Sequence, residues 1–493
     1  MRWQETARGG TLYYPIWLAY ATGLLEQRHD VKLVDASARG LSCPKIVEDV
    51  VSFNPDILVV DSSYTSWRND LEVVDEIKRA VPESYAVVVG PSTSVYGQSY
   101  MQNDSVDAVI EGEFDFPLLD LASVLEEGGK LEKISSLTWK DDGRIRKNPN
   151  RELTSSVDMD KLPWVSKVYK NHLVVHDYFL SSALYPEIQI IAERGCPYLC
   201  TFCEWPQIFT KHKYRSRGVD NVIGEMRWIR DNLPDVKEIV FEDDTFTIDR
   251  RWVNEFCDRL IKDHLDFTWS AQIRADVEYE LLVKLRRAGC RLVIVGFESG
   301  SNAVLSAMKK GITVEQSRSF GRAAKRAGIL IHGDFIIGMP GETKKTIEET
   351  WDLIEDIKPE ILQVSVATPF PGTEFYKYVK SNGYLLKDDP SDYLDEAGHQ
   401  VAVVSYPWLA ASEITAQVDT FLRRYYISVN FLPLAVKQVL RRNAPDEMRR
   451  LLKSATTFLK YVRRKRCQPD TTELREEAIP LVVQPSVNSN TPT

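Results

Sequence analysis

The chain has 493 residues with 62 basic and 71 acidic side chains, which gives a net charge of −9, and 43% of its residues are hydrophobic. This composition excludes collagen-like, low-complexity and wholly disordered chains, and at roughly 150 residues per domain it predicts about three domains. No run of the ~18 apolar residues that a membrane span needs occurs, and residues 1–10 hold no apolar signal region. We therefore expect a cytoplasmic protein.

Residues 1–130 alternate short apolar runs with helical patterns, which is typical of a parallel sheet covered by helices. The predicted strands span residues 31–35, 57–61, 86–90 and 108–111, and the predicted helices span residues 46–53 and 71–81. In such open sheets the ligand binds beyond the carboxyl ends of the strands. Asp35, residues 61–63 and residues 90–94 are therefore candidate ligand-binding residues by position.

Residues 131–185 are irregular and rich in turn-forming residues, so we expect a connector with one small sheet. A second α/β segment follows over residues 186–385. Its six predicted strands span residues 187–192, 238–241, 267–271, 292–295, 329–338 and 361–366. Six such units indicate a partial barrel that carries its chemistry at the carboxyl ends of the strands.

Residues 386–467 are predicted to form a helical region, with helices over residues 414–427 and 434–442 and a third that begins at Pro445. Residues 468–493 are rich in Pro, Thr, Ser and Asn, so we expect a disordered tail.

This helical region is strongly basic: residues 421–466 hold 13 Lys or Arg and only two acids, a local charge of +11 against −20 for the remainder. Such a segment indicates an anionic surface as a partner. The apolar stripe of the third helix is flanked by Arg449, Arg450, Lys453, Lys460 and residues 463–466. That pattern is typical of a helix at an anionic bilayer surface, and the alternative is a helix packed on the barrel with a solvated basic face.

Three of the seven cysteines, Cys196, Cys200 and Cys203, share one loop directly after a predicted strand. Three thiolates at this spacing can ligate three irons of a 4Fe-4S cluster and leave the fourth iron open. A zinc site would need a fourth ligand, and His212 lies outside the usual ligand spacing. Ordinary core or surface thiols are expected at the isolated cysteines Cys43, Cys257, Cys290 and Cys467.

The Cys-x3-Cys-x2-Cys loop after a barrel strand, with Phe202 before its last cysteine, resembles the radical S-adenosylmethionine (SAM) superfamily. The resemblance implies that SAM chelates the open iron and is cleaved reductively to a 5′-deoxyadenosyl radical. It implies contacts with SAM, or in part with the substrate, for Glu242, Asp243, Asp244, Arg274, Glu298, Ser299 and Gly338. For Arg274 the alternative is a rim salt bridge with Asp276, and for Gly338 it is a turn. His332 is placed either facing the cavity or in the core.

An α/β domain before such a barrel, with Gly112-Glu-Phe-Asp115 after its last predicted strand, resembles the cobalamin-binding radical SAM class. This implies a Rossmann-like domain that binds cobalamin, and a structural or substrate-docking domain is the alternative. The sequence contains no Asp-x-His-x-x-Gly, so cobalamin would bind without the histidine that ligates cobalt in many cobalamin proteins. The first strand with its Asn-Pro-Pro turn, which this class implies, is also missing from the sequence.

Several segments, among them residues 14–19, 200–207, 243–246 and 369–373, resemble the hopanoid-biosynthesis-associated radical SAM proteins of the HpnJ type. The resemblance implies a radical reaction on a lipid, the headgroup of a bacteriohopanepolyol, that forms a cyclitol ether. It also implies an electron donor such as flavodoxin or ferredoxin. We expect no nucleic-acid partner, and we expect peripheral contact with the inner face of the membrane through the basic helices.

Three other functions remain open. The first is cobalamin-dependent methyl transfer to a lipid or another carbon centre. The second is tRNA methylthiolation, which would need three further cysteines in the N-terminal domain, where only Cys43 occurs. The third, a non-enzyme, is a SAM- or cobalamin-sensing protein with a structural cluster.

Overall fold

The computed structural model describes residues 10–395, 398–428, 431–439 and 444–467. In chain order, the first part contains α1 (Ile16–Leu25), α2 (Ala36–Arg39), α3 (Cys43–Phe53), β1 (Ile57–Asp61), α4 (Trp67–Ala80), β2 (Tyr85–Val89), α5 (Thr93–Met101), β3 (Ala108–Ile110), α6 (Asp115–Glu127), β4 (Leu137–Asp141) and β5 (Arg144–Lys147). The strands form one sheet in the order β1-β2-β3-β4-β5, in which the first three are parallel and the last two antiparallel.

Strand β2 shows how this sheet is covered, because successive side chains of a strand point to opposite faces. Val87 and Val89 pack with the core that α1 and α6 cover. Ala86 and Val88 pack with the core that α4 and α5 cover. The predicted parallel sheet with helices on both faces is therefore confirmed.

Two predictions for the first part are wrong. Residues 31–35 form no strand, since the Leu33 N–H donates to Nδ1 of His172 (3.2 Å) and the Asp35 carboxylate caps α2 by accepting from the Ala38 N–H (3.1 Å). The small sheet expected in the connector is not separate, because β4 pairs with β3. The hairpin of β4 and β5 therefore extends the first sheet.

The second part begins with α7 (Ser156–Met159) and α8 (Val165–His172) and continues with β6 (Glu187–Ile190), β7 (Glu193–Arg194), β8 (Arg215–Ser216), α9 (Val219–Asn232), β9 (Glu238–Phe241), α10 (Arg250–Lys262), β10 (Trp269–Ile273), α11 (Tyr279–Arg287), β11 (Cys290–Glu298), α12 (Asn302–Ala307), α13 (Val314–Ala327), β12 (Leu330–Ile337), α14 (Lys344–Ile357), β13 (Ile361–Val366) and α15 (Glu374–Ser381). Six strands pair in parallel in the order β6-β9-β10-β11-β12-β13. This is the predicted six-stranded partial barrel, and β6 and β13 are its two edges.

Helices α16 (Ala411–Tyr426), α17 (Phe431–Val439) and α18 (Ala444–Cys467) complete the described chain. Helix α18 packs at the amino ends of the barrel strands, where Arg291 at the start of β11 donates to Glu447 (2.8 Å) and to Glu238 at the start of β9 (2.7 Å). Arg450 is buried and donates to the Glu447 carboxylate (3.0 Å) and the Ser181 carbonyl (2.7 Å). Arg450 is therefore part of an internal network, which corrects its predicted place on a solvated or lipid-facing flank.

Two predictions for the end of the chain lie partly or wholly outside the described residues. Helix α17 ends at Val439, and residues 440–442 of the predicted helix lie outside the described residues, as does the predicted disordered tail over residues 468–493. Across the described ranges no helix combines the length and apolar content that a membrane crossing needs.

Candidate functional site

One large cavity, with a volume of about 2430 Å³, lies between the carboxyl ends of the two sheets. The first sheet contributes Asp61, Ser63 and Gly90 to its wall, and the barrel contributes Cys196 and Cys203. Pockets for single ligands ordinarily have volumes of ~300–1,000 Å³. The cavity therefore has room for more than one group of that size.

The three predicted cluster ligands lie on the loop that follows β7. Burial raises the pKa of Cys203 well above its ordinary value, and the Asp244 carboxylate and the thiols of Cys200 and Cys196 raise it further. Thiols that raise one another's pKa lie near one another, and bound iron relieves this repulsion because it replaces their protons. Among the described residues no three His, Cys, Asp or Glu side chains form a preformed metal site. The three thiols that this loop brings near one another fit a cluster with three protein ligands.

A single amide side chain holds this loop in shape. Nε2 of Gln207 donates to the carbonyl oxygens of Cys200 (3.0 Å), Thr201 (3.0 Å) and Cys203 (2.8 Å). Its Oε1 accepts from the N–H of Glu374 (2.8 Å) in α15. The two N–H bonds of this amide are shared among three carbonyls of a loop that forms no regular secondary structure. Gln207 therefore fixes the backbone between two of the cysteines.

Three acidic residues follow β9. Asp243 and Asp244 bind backbone N–H groups, and Glu242 lines the cavity. Oδ1 of Asp243 accepts from the N–H groups of Ala192 (2.8 Å) and Glu193 (2.6 Å), and Oδ2 of Asp244 accepts from that of Gly195 (2.9 Å). Burial raises the pKa of Asp244 to about 6. Asp243 and Asp244 therefore hold the backbone that leads into the cysteine loop. Both also line the cavity, and their contacts with SAM or substrate stay a prediction.

A buried ionic network joins the first sheet to the same loop. Arg194, two residues before Cys196, binds the carboxylate of Asp115 with both guanidinium nitrogens (2.7 and 3.2 Å). Arg215 of β8 donates to both carboxylate oxygens of Glu113 (2.8 and 3.0 Å). All four side chains are buried, so the Gly112-Glu-Phe-Asp115 segment of the first sheet holds β7 and β8, which flank the cluster loop.

Arg274 lies where its alternative prediction placed it. Its guanidinium stacks on the ring of Tyr198 (3.6 Å to the centroid), lies 3.4 Å from Asp276 and donates to the carbonyl of Lys310. These contacts occupy the guanidinium. The structure therefore gives Arg274 the predicted salt bridge with Asp276, and a SAM carboxylate would have to share a group that is already engaged.

Glu298, Ser299 and Gly338 are also engaged by the protein. The Glu298 carboxylate pairs with the Lys310 ammonium (2.6 Å), and this attraction outweighs burial and raises the pKa of Lys310. The Ser299 hydroxyl accepts from the Ser301 N–H (3.2 Å) in the turn after β11. Gly338 has φ of 106°, and an added Cβ would lie 2.9 Å from Ile414, so the turn requires glycine there.

The inner face of the barrel is polar where the cavity reaches it. Gln272 donates to Oε2 of Glu242 (2.9 Å), and Nε2 of His332 lies 3.3 Å from Oδ1 of Asp334, while Oε1 of Glu242 and Nδ1 of His332 have no hydrogen-bond partner among the described residues. Burial raises the pKa of Glu242 to about 7, lowers the pKa of His332 to about 3 and raises the pKa of Asp334. Buried polar atoms are ordinarily paired, so these groups indicate a bound polar ligand. His332 therefore lines the cavity, one of its two predicted positions.

The carboxyl end of the first sheet forms a close-packed edge where cobalamin was predicted. Gly90 has φ of 104°, and an added Cβ would lie 2.3 Å from the Asp61 carboxylate and 2.5 Å from the Ser62 carbonyl. The hydroxyls of Ser62 and Ser92 both bond to the Tyr100 hydroxyl (2.8 Å each) beneath this edge. Only glycine permits this approach of Asp61 and Ser62. Asp61, Ser63 and Gly90 also line the cavity at this edge, which is where ligands of such sheets bind.

Asp35, the remaining candidate of the first domain, also has a structural role, since besides capping α2 it accepts from the Tyr178 hydroxyl (2.9 Å). The sequence patterns did not indicate the roles of Gln207, Arg194, Arg215 or Lys310. The position of Gln207 and Arg194 beside the cysteines was a usable signal. For Arg215 and Lys310 the sequence contains no such signal. The partner of Arg215 is distant in sequence, and the partner of Lys310 is brought close by the turn after β11.

Two family models match the chain. Residues 6–122 match the B12 binding domain and residues 190–354 match the radical SAM superfamily. An uncharacterised methyltransferase of Pyrococcus horikoshii is 31% identical over 428 residues, which are 86% of this chain and 89% of that protein. An anaerobic magnesium-protoporphyrin IX monomethyl ester cyclase of Rubrivivax gelatinosus is 26% identical over 85% of this chain and 74% of its own length.

The solved structure of TsrM from Kitasatospora setae, a radical SAM methyltransferase with cobalamin and a 4Fe-4S cluster bound, shares the fold. The TM-score is 0.69 at 17% identity, and the match covers 92% of this chain and 98% of that one. A hopanoid C-3 methylase of Methylococcus capsulatus is a more distant relative, 23% identical over 72% of this chain and 66% of its own length.

Proposed function

Because the chain belongs to the B12-binding radical SAM proteins, we propose that it is a methyltransferase. It is a cobalamin-dependent radical SAM enzyme, and its cofactors are a 4Fe-4S cluster, SAM and cobalamin. The observation that carries methyl transfer is the Pyrococcus horikoshii relative, which is named a methyltransferase and matches nearly the whole chain.

The residues of the cavity support a proposed place for each cofactor. When bound, the cluster supplies the electron that cleaves SAM, and cobalamin supplies a carrier for a methyl group. Cys196, Cys200 and Cys203 would hold three irons and leave the fourth for SAM. The edge formed by Asp61 and Gly90 would hold cobalamin. The protein's own part is to orient these groups in one cavity and to exclude water from them.

The unpaired polar groups of the barrel would bind the substrate. Burial keeps His332 neutral and favours the protonated form of Asp334. Nε2 of His332 and Oδ1 of Asp334 lie 3.3 Å apart and can share one proton, which leaves Nδ1 of His332 for a ligand. Glu242 adds a further acceptor oxygen on the neighbouring wall of the cavity. We therefore expect the substrate to present hydroxyl, amine or amide groups there.

Methyl transfer was the alternative to a radical reaction on a lipid headgroup, and the relatives support it better than the main expectation. A hopanoid substrate has weaker support, because the hopanoid methylase is a distant relative. A radical reaction without methyl transfer is the second candidate, favoured by the relative that is named a cyclase.

The test uses the full chain, reconstituted without oxygen with iron and sulfide and supplied with SAM and a reductant, with and without cobalamin. S-adenosylhomocysteine reports methyl donation, and 5′-deoxyadenosine reports radical formation. We expect S-adenosylhomocysteine only when cobalamin is present. Cobalamin-loaded enzyme that makes 5′-deoxyadenosine and no S-adenosylhomocysteine would overturn the methyltransferase proposal in favour of the second candidate.

A further inference from the structure

The cavity extends beyond the cluster loop to the open side of the barrel. Strands β6 and β13 are the two edges of the barrel sheet, and the cavity wall includes every residue of β13. On the opposite side the wall includes Leu12, Tyr13 and Tyr14, and the Tyr14 N–H donates to Gln189 of β6 (3.1 Å). The cavity therefore follows the gap between the two barrel edges.

At the amino ends of the strands this gap reaches the C-terminal helices. Ile427 after α16, Phe431 of α17, and Leu451 and Ala455 of α18 form the cavity wall there. The side chain of Ile427 is 62% exposed. An apolar rim in contact with water therefore surrounds this end of the cavity.

The outer face of α18 continues the rim. Met448 and Leu452, one turn apart, are 44% and 59% exposed, and Arg449 beside them is also exposed. Glu447 and Arg450, on the other side of the helix, are buried against the barrel. The exposed side of α18 thus combines large apolar side chains with a cation, while its inner side carries the internal ion pairs.

Single exposed apolar side chains are ordinary on a protein surface. Here Ile427, Val436, Met448 and Leu452 are all exposed within residues 427–452, and Ile427 also lines the end of the cavity. The same stretch lies in the segment that carries a charge of +11, while the remainder of the chain carries −20. Apolar side chains amid positive charge match the chemistry of an anionic bilayer surface, whereas a nucleic acid would need only the charge.

We propose that Ile427 and the exposed faces of α17 and α18 dock the enzyme on an anionic lipid bilayer. Docking there places the apolar rim, and with it the open side of the barrel, against the lipid surface. A substrate that resides in the bilayer would then reach the cavity without crossing water. The docking surface does not depend on the reaction that the cavity catalyses.

The test is flotation of the reconstituted full chain with vesicles of phosphatidylcholine alone and with vesicles that also contain phosphatidylglycerol. We expect at least about tenfold more bound protein on the anionic vesicles at low salt, and a decrease at high salt as charges are screened. The double variant Met448→Asp with Leu452→Asp should lose this binding. Val157→Asp in α7 is the matched control, because Val157 is 68% exposed and lies outside the C-terminal helices.

Absence of flotation for the unchanged protein would overturn the proposal. Equal flotation of the double variant and the control would also overturn it, and would indicate a general polyanion site. Neither Met448 nor Leu452 lines the cavity, so production of 5′-deoxyadenosine without vesicles should be the same in the double variant and the control. That measurement separates failure of docking from failure of the proposed reaction.

Discussion

Replacing Asp115 with asparagine removes the charge that holds Arg194, two residues before the first cluster cysteine. Asp115 is fully buried, and both guanidinium nitrogens of Arg194 bind it, at 2.7 and 3.2 Å. After the change the closest remaining carboxylate oxygen is that of Glu113, 3.8 Å from Arg194. Arg194 would then be a buried cation with one neighbouring carboxylate instead of two.

Breaking a buried ion pair by removing one partner destabilises a protein by ~3–5 kcal/mol. Asparagine keeps the size and one acceptor oxygen of Asp115, so we expect the lower end, about 3 kcal/mol. At roughly 2–4 °C per kcal/mol, the thermal midpoint should fall by about 6–12 °C. Because Arg194 leads directly into the cysteine loop, the iron retained after reconstitution should also decrease.

Asp120→Asn is the matched control. Asp120 lies on the same helix α6 and pairs with Arg151 at 3.0 Å, but its side chain is 49% exposed. An exposed pair contributes ~0–1 kcal/mol, so the control should change the midpoint and the iron content little. Differential scanning fluorimetry and an iron assay measure both quantities. Equal effects of the two substitutions would refute the argument that the buried network holds the cluster loop.

Three further predictions concern the cavity. Cys200→Ala should abolish retention of the 4Fe-4S cluster and production of 5′-deoxyadenosine, while Cys43→Ala should retain both, as iron content and mass spectrometry would show. Equal iron in the two variants would contradict the assigned ligands. Burial raises the pKa of Glu242 to about 7, so the folded protein binds more protons than the unfolded chain and its stability falls as the pH rises from about 5 to about 8. Glu242→Gln should therefore melt at a higher temperature than the unchanged protein at pH ~8 and at nearly the same temperature at pH ~5, and an unchanged difference would refute this account. Gly90→Ala should weaken cobalamin binding by tenfold or more in absorbance titrations and destabilise the first domain by about 1–3 kcal/mol, because its Cβ would overlap Asp61 and Ser62. Unchanged affinity would mean that cobalamin does not approach this edge.

The apolar patterns predicted most of the fold. The strands over residues 57–61, 238–241 and 361–366 begin and end where the sequence placed them. Strands of a parallel sheet that is covered on both faces have continuous apolar runs, and these are easy to recognise. Residues 31–35 have the same kind of run and form no strand, because a strand also needs a paired neighbour and the Leu33 N–H bonds to a histidine instead.

The sequence by itself determined the order of the barrel units and predicted the cluster ligands. Both depend on short-range spacing: three cysteines in one loop, and apolar runs separated by helices. The tertiary structure decided what the charged residues do. Arg194 meets Asp115 across 79 positions and Arg291 meets Glu447 across 156, and no local pattern specifies such partners. A buried charge is stabilised by a counter-charge that the fold brings close to it, so the roles of Asp243 and Arg450 became visible only in the packed chain.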